Sequence, residues 1–212
     1  MNNNSESITE LLNRINCVSC SCDNDMHDLF NRIAEELMCN YVLCDKTGTT
    51  CYSLIEIEFY LYKQNVHEDT VVYPRNCNAG QLFYHYSGAD IAFQTITDDD
   101  NVTFGGILIR SMKKCDEIIG GPLRCKDELL NNGIYRIIYH ESPKQDIEKT
   151  TRYGINKDEK YSKALYRYYI PQTTWNRKKK NVLAYKHIDG KKVARITDVT
   201  EYYSNYPTKK AG

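Results

Sequence analysis

From Leu54 to Tyr60 the sequence LIEIEFY alternates with a period of two, a pattern that only an extended strand resolves into two distinct faces. Leu54, Glu56, Glu58 and Tyr60 share one face, while Ile55, Ile57 and Phe59 share the other. Two carboxylates therefore point the same way, about 7 Å apart along the strand. On a wetted edge strand they would be ordinary solvated charges. On a face lining a partly dry pocket, one of them is a candidate general base, because burial and mutual repulsion oppose ionisation of both.

Other elements can be read around this strand. Ser7 and Glu10 make a capping box ahead of Ile8, Leu11, Leu12 and Ile15, which predicts a short amphipathic helix. A Cys/Ser/Asp/Asn loop from Cys17 to Asn24 ends it, and a second helix is predicted from near Asp25 with Leu29, Ile33 and Leu37 on one stripe. Tyr41 to Cys44 reads as a strand hairpinned to the acidic one across Thr47-Gly48. Residues 60–80 read as polar, irregular chain, and 81–86 and 89–95 as strands around Ser87-Gly88. A solvated turn at Asp98–Asn101 leads to a strand ending in Arg110, a charge that needs a partner; Glu56 or Glu58 is the natural candidate. Gly121-Pro122 opens a helix through Leu130, Tyr135–Tyr139 and Leu165–Ile170 read as strands, and Asn181–Thr197 reads as a basic hairpin across Asp189-Gly190.

A chain of 212 residues is long enough for one domain with a real core. Its 28 basic and 28 acidic residues cancel, but not locally: Lys144–Gly212 holds 17 basic and 7 acidic residues, leaving 11 and 21 before it. This predicts either neutralisation inside the fold or a polyanion-binding surface in the last third, where Arg177, Lys178, Lys179 and Lys180 form the densest basic run. Eighteen tyrosines suit a wet pocket, a base-stacking surface or strand-edge packing. The polar N-terminus has no apolar signal region and no run reaches membrane-spanning length, so a soluble, cytoplasmic protein is expected. Nine cysteines without an export signal read as reduced thiols rather than a disulfide framework. Cys17, Cys20 and Cys22 form C-x-x-C-x-C, followed by His27, Cys39 and Cys44, but no second C-x-x-C completes a zinc set, and no metal is expected.

Several short motifs, in order from about Leu29 to about Ile170, resemble those of the alkyladenine (3-methyladenine) DNA glycosylases. Glu56-Ile57-Glu58-Phe59-Tyr60 is similar to the family's E-T-E-A-Y strand, Pro74-Arg75-Asn76 to its P-R-N loop, and Gly80-Gln81-Leu82-Phe83-Tyr84 to G-T-L-Y-V. Gly106 to Arg110 resembles a strand ending in V-L-L-R. Gly121-Pro122 with Leu129 resembles the G-P-x-x-L-x-x-x-L helix, and Arg152-Tyr153-Gly154-Ile155 and Leu165-Tyr166-Arg167-Tyr168-Tyr169 resemble R-x-G-I and P-L-R-F-Y.

The resemblance implies a single α+β domain with a curved, largely antiparallel sheet and flanking helices, here residues 25–212 with a basic C-terminal segment, preceded by a helix and Cys-rich loop in 1–24. It implies a monofunctional DNA glycosylase of base excision repair that removes altered purines by water attack, with no cofactor. Glu58 would activate the water, Arg110 would help hold it, Tyr60 would stack on the extruded base, and His67 would contact that base. Oxocarbenium-like transition states are stabilised by such a carboxylate, which independently fits the acidic strand. Tyr84, Tyr86 and Gln94 would bind substrate, and Arg75 with Arg177–Lys180 would contact DNA as a monomer.

The family's wedge tyrosine precedes a glycine, whereas Ser87 precedes Gly88 here, with Tyr84 and Tyr86 close by. Either Tyr86 serves as the wedge, or the substrate is a single strand, a nucleoside or another ligand. Gln94 stands where the family discriminates against guanine with an asparagine. His85 and Asp90 match no motif of the family and mark either a changed site or a hydrogen-bonded turn. A non-catalytic nucleic-acid-binding module and a hydrolase of another N-glycoside are the alternative readings.

Overall fold

In the computed structural model, residues 7–17, 21–134, 136–156 and 159–171 are described, together with the backbone of 185–188 and 191–195. In chain order the elements are α1 (Ile8–Asn13), α2 (Asp23–Asn40), β1 (Tyr41–Cys44), β2 (Cys51–Lys63), β3 (His67–Glu68), β4 (Leu82–His85), β5 (Gly88–Ala92) and β6 (Ile96–Asp98). Then come β7 (Asn101–Lys114), β8 (Glu117–Gly120), α3 (Pro122–Asn131), β9 (Arg136–Tyr139), β10 (Glu148–Thr150), β11 (Arg167–Tyr169), β12 (Tyr185–Ile188) and β13 (Lys191–Arg195).

The acidic strand is interior, not an edge. β2 pairs along one side with β7 from Ser53 to Lys63, and its other side is shared in turn by β1, β11 and β3. β5 and β4 continue the sheet beyond β7, and all the pairings are antiparallel within an 11-stranded sheet. The result is a single α+β sheet layer with helices, as expected. The β2–β7 pairing depends on Gly105, where a Cβ would lie 2.2 Å from the Tyr60 carbonyl oxygen.

Period two decides what each side of β2 meets. Ile57, Phe59 and Leu61 join the apolar core with α1 and α2, where the Phe30 ring stacks on Phe59 at 4.4 Å. Ile8, Leu11 and Leu12 of α1 are part of this same core, so it crosses the expected boundary at residue 24. The Ser7–Glu10 capping box forms as read, with both reciprocal bonds present. α2 begins two residues before Asp25, because the Asp25 carboxylate accepts the Ser21 and Cys22 backbone N–H groups and so occupies the first turn.

Two further expectations are corrected. The stretch after Tyr60 is not wholly irregular: β2 runs on to Lys63 and β3 returns against it. Nor are all the cysteines reduced, since Cys44 and Cys51 form a disulfide. The β1–β2 hairpin places these two residues directly opposite each other, with Cα atoms 4.2 Å apart, a proximity that compartment arguments could not anticipate. The basic hairpin forms as β12 and β13, while its turn, Asp189-Gly190, and the run Arg177–Lys180 lie outside the described residues. Among the described residues no helix is long and apolar enough to cross a membrane.

Candidate active-site pocket

Cross-strand neighbours point to the same face of a sheet, so register alone assembles the site. Arg167 of β11 sits opposite Glu58, Glu58 opposite Leu108, Leu108 opposite Asp90, and Asp90 opposite Phe83. Arg110, two residues along β7 from Leu108, reaches both acidic side chains: its Nε donates to Glu56 at 3.1 Å and an Nη to Glu58 at 3.0 Å. Both carboxylates are 0% exposed, which removes the wetted-edge reading. Ser111 donates to Glu56 at 3.3 Å and the Arg167 Nε lies 3.8 Å from the same carboxylate. Two buried negative charges thus face two guanidinium groups, which offsets the cost of burying either alone.

Glu58 is closed over on every side. Its Oε1 accepts the Tyr153 backbone N–H at 2.8 Å, and its Oε2 accepts both Arg110 and the Tyr60 hydroxyl, the latter at 2.9 Å. Burial, and then the charge of Glu58, push the Tyr60 phenol well above its usual range, so it remains a proton donor. The back of the Tyr60 ring is covered by the Arg152 guanidinium at 4.7 Å from the ring centroid. Arg152 is fixed in turn by a buried ion pair with Asp69 and a bond to the Phe59 carbonyl.

In front of this floor lies a cavity of about 320 Å³, to whose wall Tyr60, Tyr73, Tyr86, Tyr153, Leu108 and Pro122 contribute rings and apolar surface and Arg110 and Asn156 polar groups. Arg110 reaches it, whereas Glu58 lies directly behind the Tyr60, Arg110 and Tyr153 that line it. Tyr86 is 78% exposed at the rim, and its hydroxyl accepts from Tyr73 at 2.7 Å. On the opposite flank of Leu108, Arg75 and Asp90 form a buried ion pair, with Arg75 stacked 4.4 Å over Phe83. Asp90 also meets His85, which in turn meets Ser87. Gly106 makes room for this cluster: a Cβ there would lie 3.0 Å from an Arg75 Nη and 3.1 Å from the Asp90 Cβ.

Of the expected site residues, Glu58, Tyr60 and Arg110 converge at this floor, and Arg75 and Tyr86 line the cavity. Arg75 is held in the interior by Asp90 rather than offered on the surface. His67, Tyr84 and Gln94 are elsewhere. His67 is buried beneath α2, its Nδ1 2.7 Å from Asp23 and its ring stacked on Tyr161 at 4.1 Å. The Tyr84 hydroxyl donates to the Ile134 carbonyl, and the Gln94 side chain bonds the Ala79 and Thr95 backbone. Sequence reasoning missed the Tyr153 N–H, which only long-range packing brings to Glu58. Cys17 and Cys22 are exposed free thiols, and Cys20 lies outside the described residues. No family model matches the sequence, and no curated protein matches it.

Proposed function

We propose that the protein hydrolyses N-glycosidic bonds of altered purines in nucleic acid, as a DNA glycosylase does. The supporting observation is the convergence of Arg110 and Tyr60, both donating to Glu58, at the floor of a tyrosine-lined cavity. The Tyr60 ring, backed by Arg152, is a rigid platform for a flipped base. The exposed Tyr86 ring at the rim is the candidate to fill the gap that the base leaves. A substrate that takes over the Tyr60 hydroxyl bond frees Oε2 of Glu58 to accept a proton from water. The water oxygen bonds to the sugar C1′, the C1′–N bond breaks, and the base leaves with that electron pair.

One observation favours a second reading, a binding module without turnover: both Glu58 oxygens are already occupied and the residue has no exposed surface. Base release from duplex and single-stranded oligonucleotides carrying hypoxanthine or an alkylated adenine separates the two. Turnover that falls at least ~10²-fold in Glu58→Gln supports the glycosylase. Absence of release with salt-sensitive binding intact selects the module.

A further inference from the structure

His85 and Asp90 match no motif of the family that the chain resembles, Ser87 stands where that family has its wedge tyrosine, and all three line the cavity. The β4–β5 hairpin sets Phe83 opposite Asp90 and His85 opposite Gly88, leaving Ser87 in the turn above them. Ser87 Oγ lies 2.9 Å from His85 Nδ1, and His85 Nε2 lies 3.0 Å from Asp90 Oδ1. The other oxygen of Asp90 accepts from Arg75, so both of its oxygens are engaged. In the tautomer with the proton on Nε2, that nitrogen donates to Asp90 and Nδ1 accepts from the Ser87 hydroxyl. A hydroxyl, a base within reach of it and a buried group that orients the base are the parts of an activated nucleophile.

Their surroundings keep this line of contacts in place. Asp90 is 2% exposed, and Gly88 packs so closely that a Cβ would lie 2.6 Å from Leu108 Cδ1. The Tyr73 side chain contacts that of Ser87, while its own hydroxyl proton is donated to Tyr86. Beyond them Val71, Val72, Leu108, Ile155 and the tyrosines line the cavity together with Arg110 and Asn156, and its apolar part suits an uncharged acyl or aryl group.

We propose that Ser87 is a nucleophile, with His85 as its base and Asp90 as its positioning residue, and that this cavity cleaves carboxylic esters of apolar or aromatic groups. Ser87 Oγ bonds to the ester carbonyl carbon as its proton passes to His85 Nδ1. The bond from carbon to the alcohol oxygen then breaks, and the departing alkoxide takes that proton. Water attacks the acyl-serine by the same route, giving its proton to Nδ1, which returns it to Ser87 Oγ as the acid leaves. No cofactor enters, and nothing in this chemistry rests on N-glycoside hydrolysis.

The test is covalent labelling of the full chain with an aryl fluorophosphonate, in which Ser87 Oγ bonds to phosphorus and fluoride departs. Intact mass and peptide mapping are expected to find one adduct, on Ser87. It should be absent in Ser87→Ala and form roughly 10²- to 10⁴-fold more slowly in His85→Gln. A burst of one equivalent of phenol from an aryl acetate should accompany it. Melting curves verify that each variant is folded, with His85→Asn replacing His85→Gln if the latter is not. Absence of an adduct at Ser87 in the folded protein, or equal labelling rates with and without His85, overturns the proposal. Neither readout involves base release, so this proposal and the glycosylase reading fail separately.

Discussion

Arg110 bonds two carboxylates that have no exposed surface, so its removal takes a guanidinium bond from each while they stay buried. Arg110→Ala is expected to cost about 3–5 kcal/mol in urea unfolding, and Glu56→Gln with Glu58→Gln should restore part of that loss by removing the buried charges. His67 gives a pH-dependent counterpart. Burial lowers its pKa, outweighing the opposing pull of Asp23, and its Nε2 is buried with no hydrogen-bond partner among the described residues. The unfolded chain therefore binds the proton more readily than the folded one. The stability due to neutral His67 is fully present above the unfolded pKa of about 6.5 and is lost as pH falls through that value towards the lower folded one. Urea midpoints measured between pH 7.5 and pH 5 should fall with pH in the wild type, and less so in His67→Phe. Asp23, Tyr161, Tyr166, Phe30, Asp69 and Arg152 face this ring and remain in that variant. The Glu–Arg contact was legible from the sequence, because an inward arginine beside an inward acidic face leaves few other partners. The burial of His67 was not, because the two-residue strand that carries it is too short to have a pattern.

The β1–β2 hairpin carries the disulfide, and its small loop gives the bond a modest effect. Closing about eight residues restricts the unfolded chain by roughly 2 kcal/mol, so Cys51→Ser should lower the unfolding free energy by about that amount. Non-reducing mass spectrometry should find the Cys44–Cys51 link in the wild type alone. β7 offers a sharper test. Gly106→Ala drives a methyl group toward the Ile91 carbonyl oxygen, 2.9 Å away, and toward the Arg75–Asp90 pair. It should destabilise by more than about 1 kcal/mol and disturb the His85–Asp90 contact, seen as a shift of the His85 ring resonances. Strands and helices were readable here because periodicity and caps are local. Their partners were less so: the β1–β2 hairpin follows from a short turn, but the pairing of β11 with β2 spans more than a hundred residues of intervening chain.

Among the described residues, part of the charge asymmetry along the chain is neutralised inside the fold. Arg152 and Arg167 belong to the basic last third and are buried against Asp69 and beside Glu56, acidic groups of the first part. Internal neutralisation thus accounts for some of the imbalance, and the polyanion-binding reading rests on the remainder. If Arg177–Lys180 contact phosphates, the logarithm of DNA affinity should fall linearly with that of salt concentration. Replacing all four by Ala should then flatten the slope by roughly 3, as measured by fluorescence anisotropy.

The order in which the ribosome delivers the sheet has its own consequence. β2 emerges early, β7 soon after, and β11, which completes the flank of Glu56 and Glu58, more than a hundred residues later. At 5–20 residues per second, that flank stays open for roughly 5–20 seconds of translation. Arg110 arrives within that interval and the Tyr153 N–H and Arg167 only near its end, so the nascent chain holds its acidic pair half-sheathed, with an unpaired strand edge open to chaperones and to neighbouring chains.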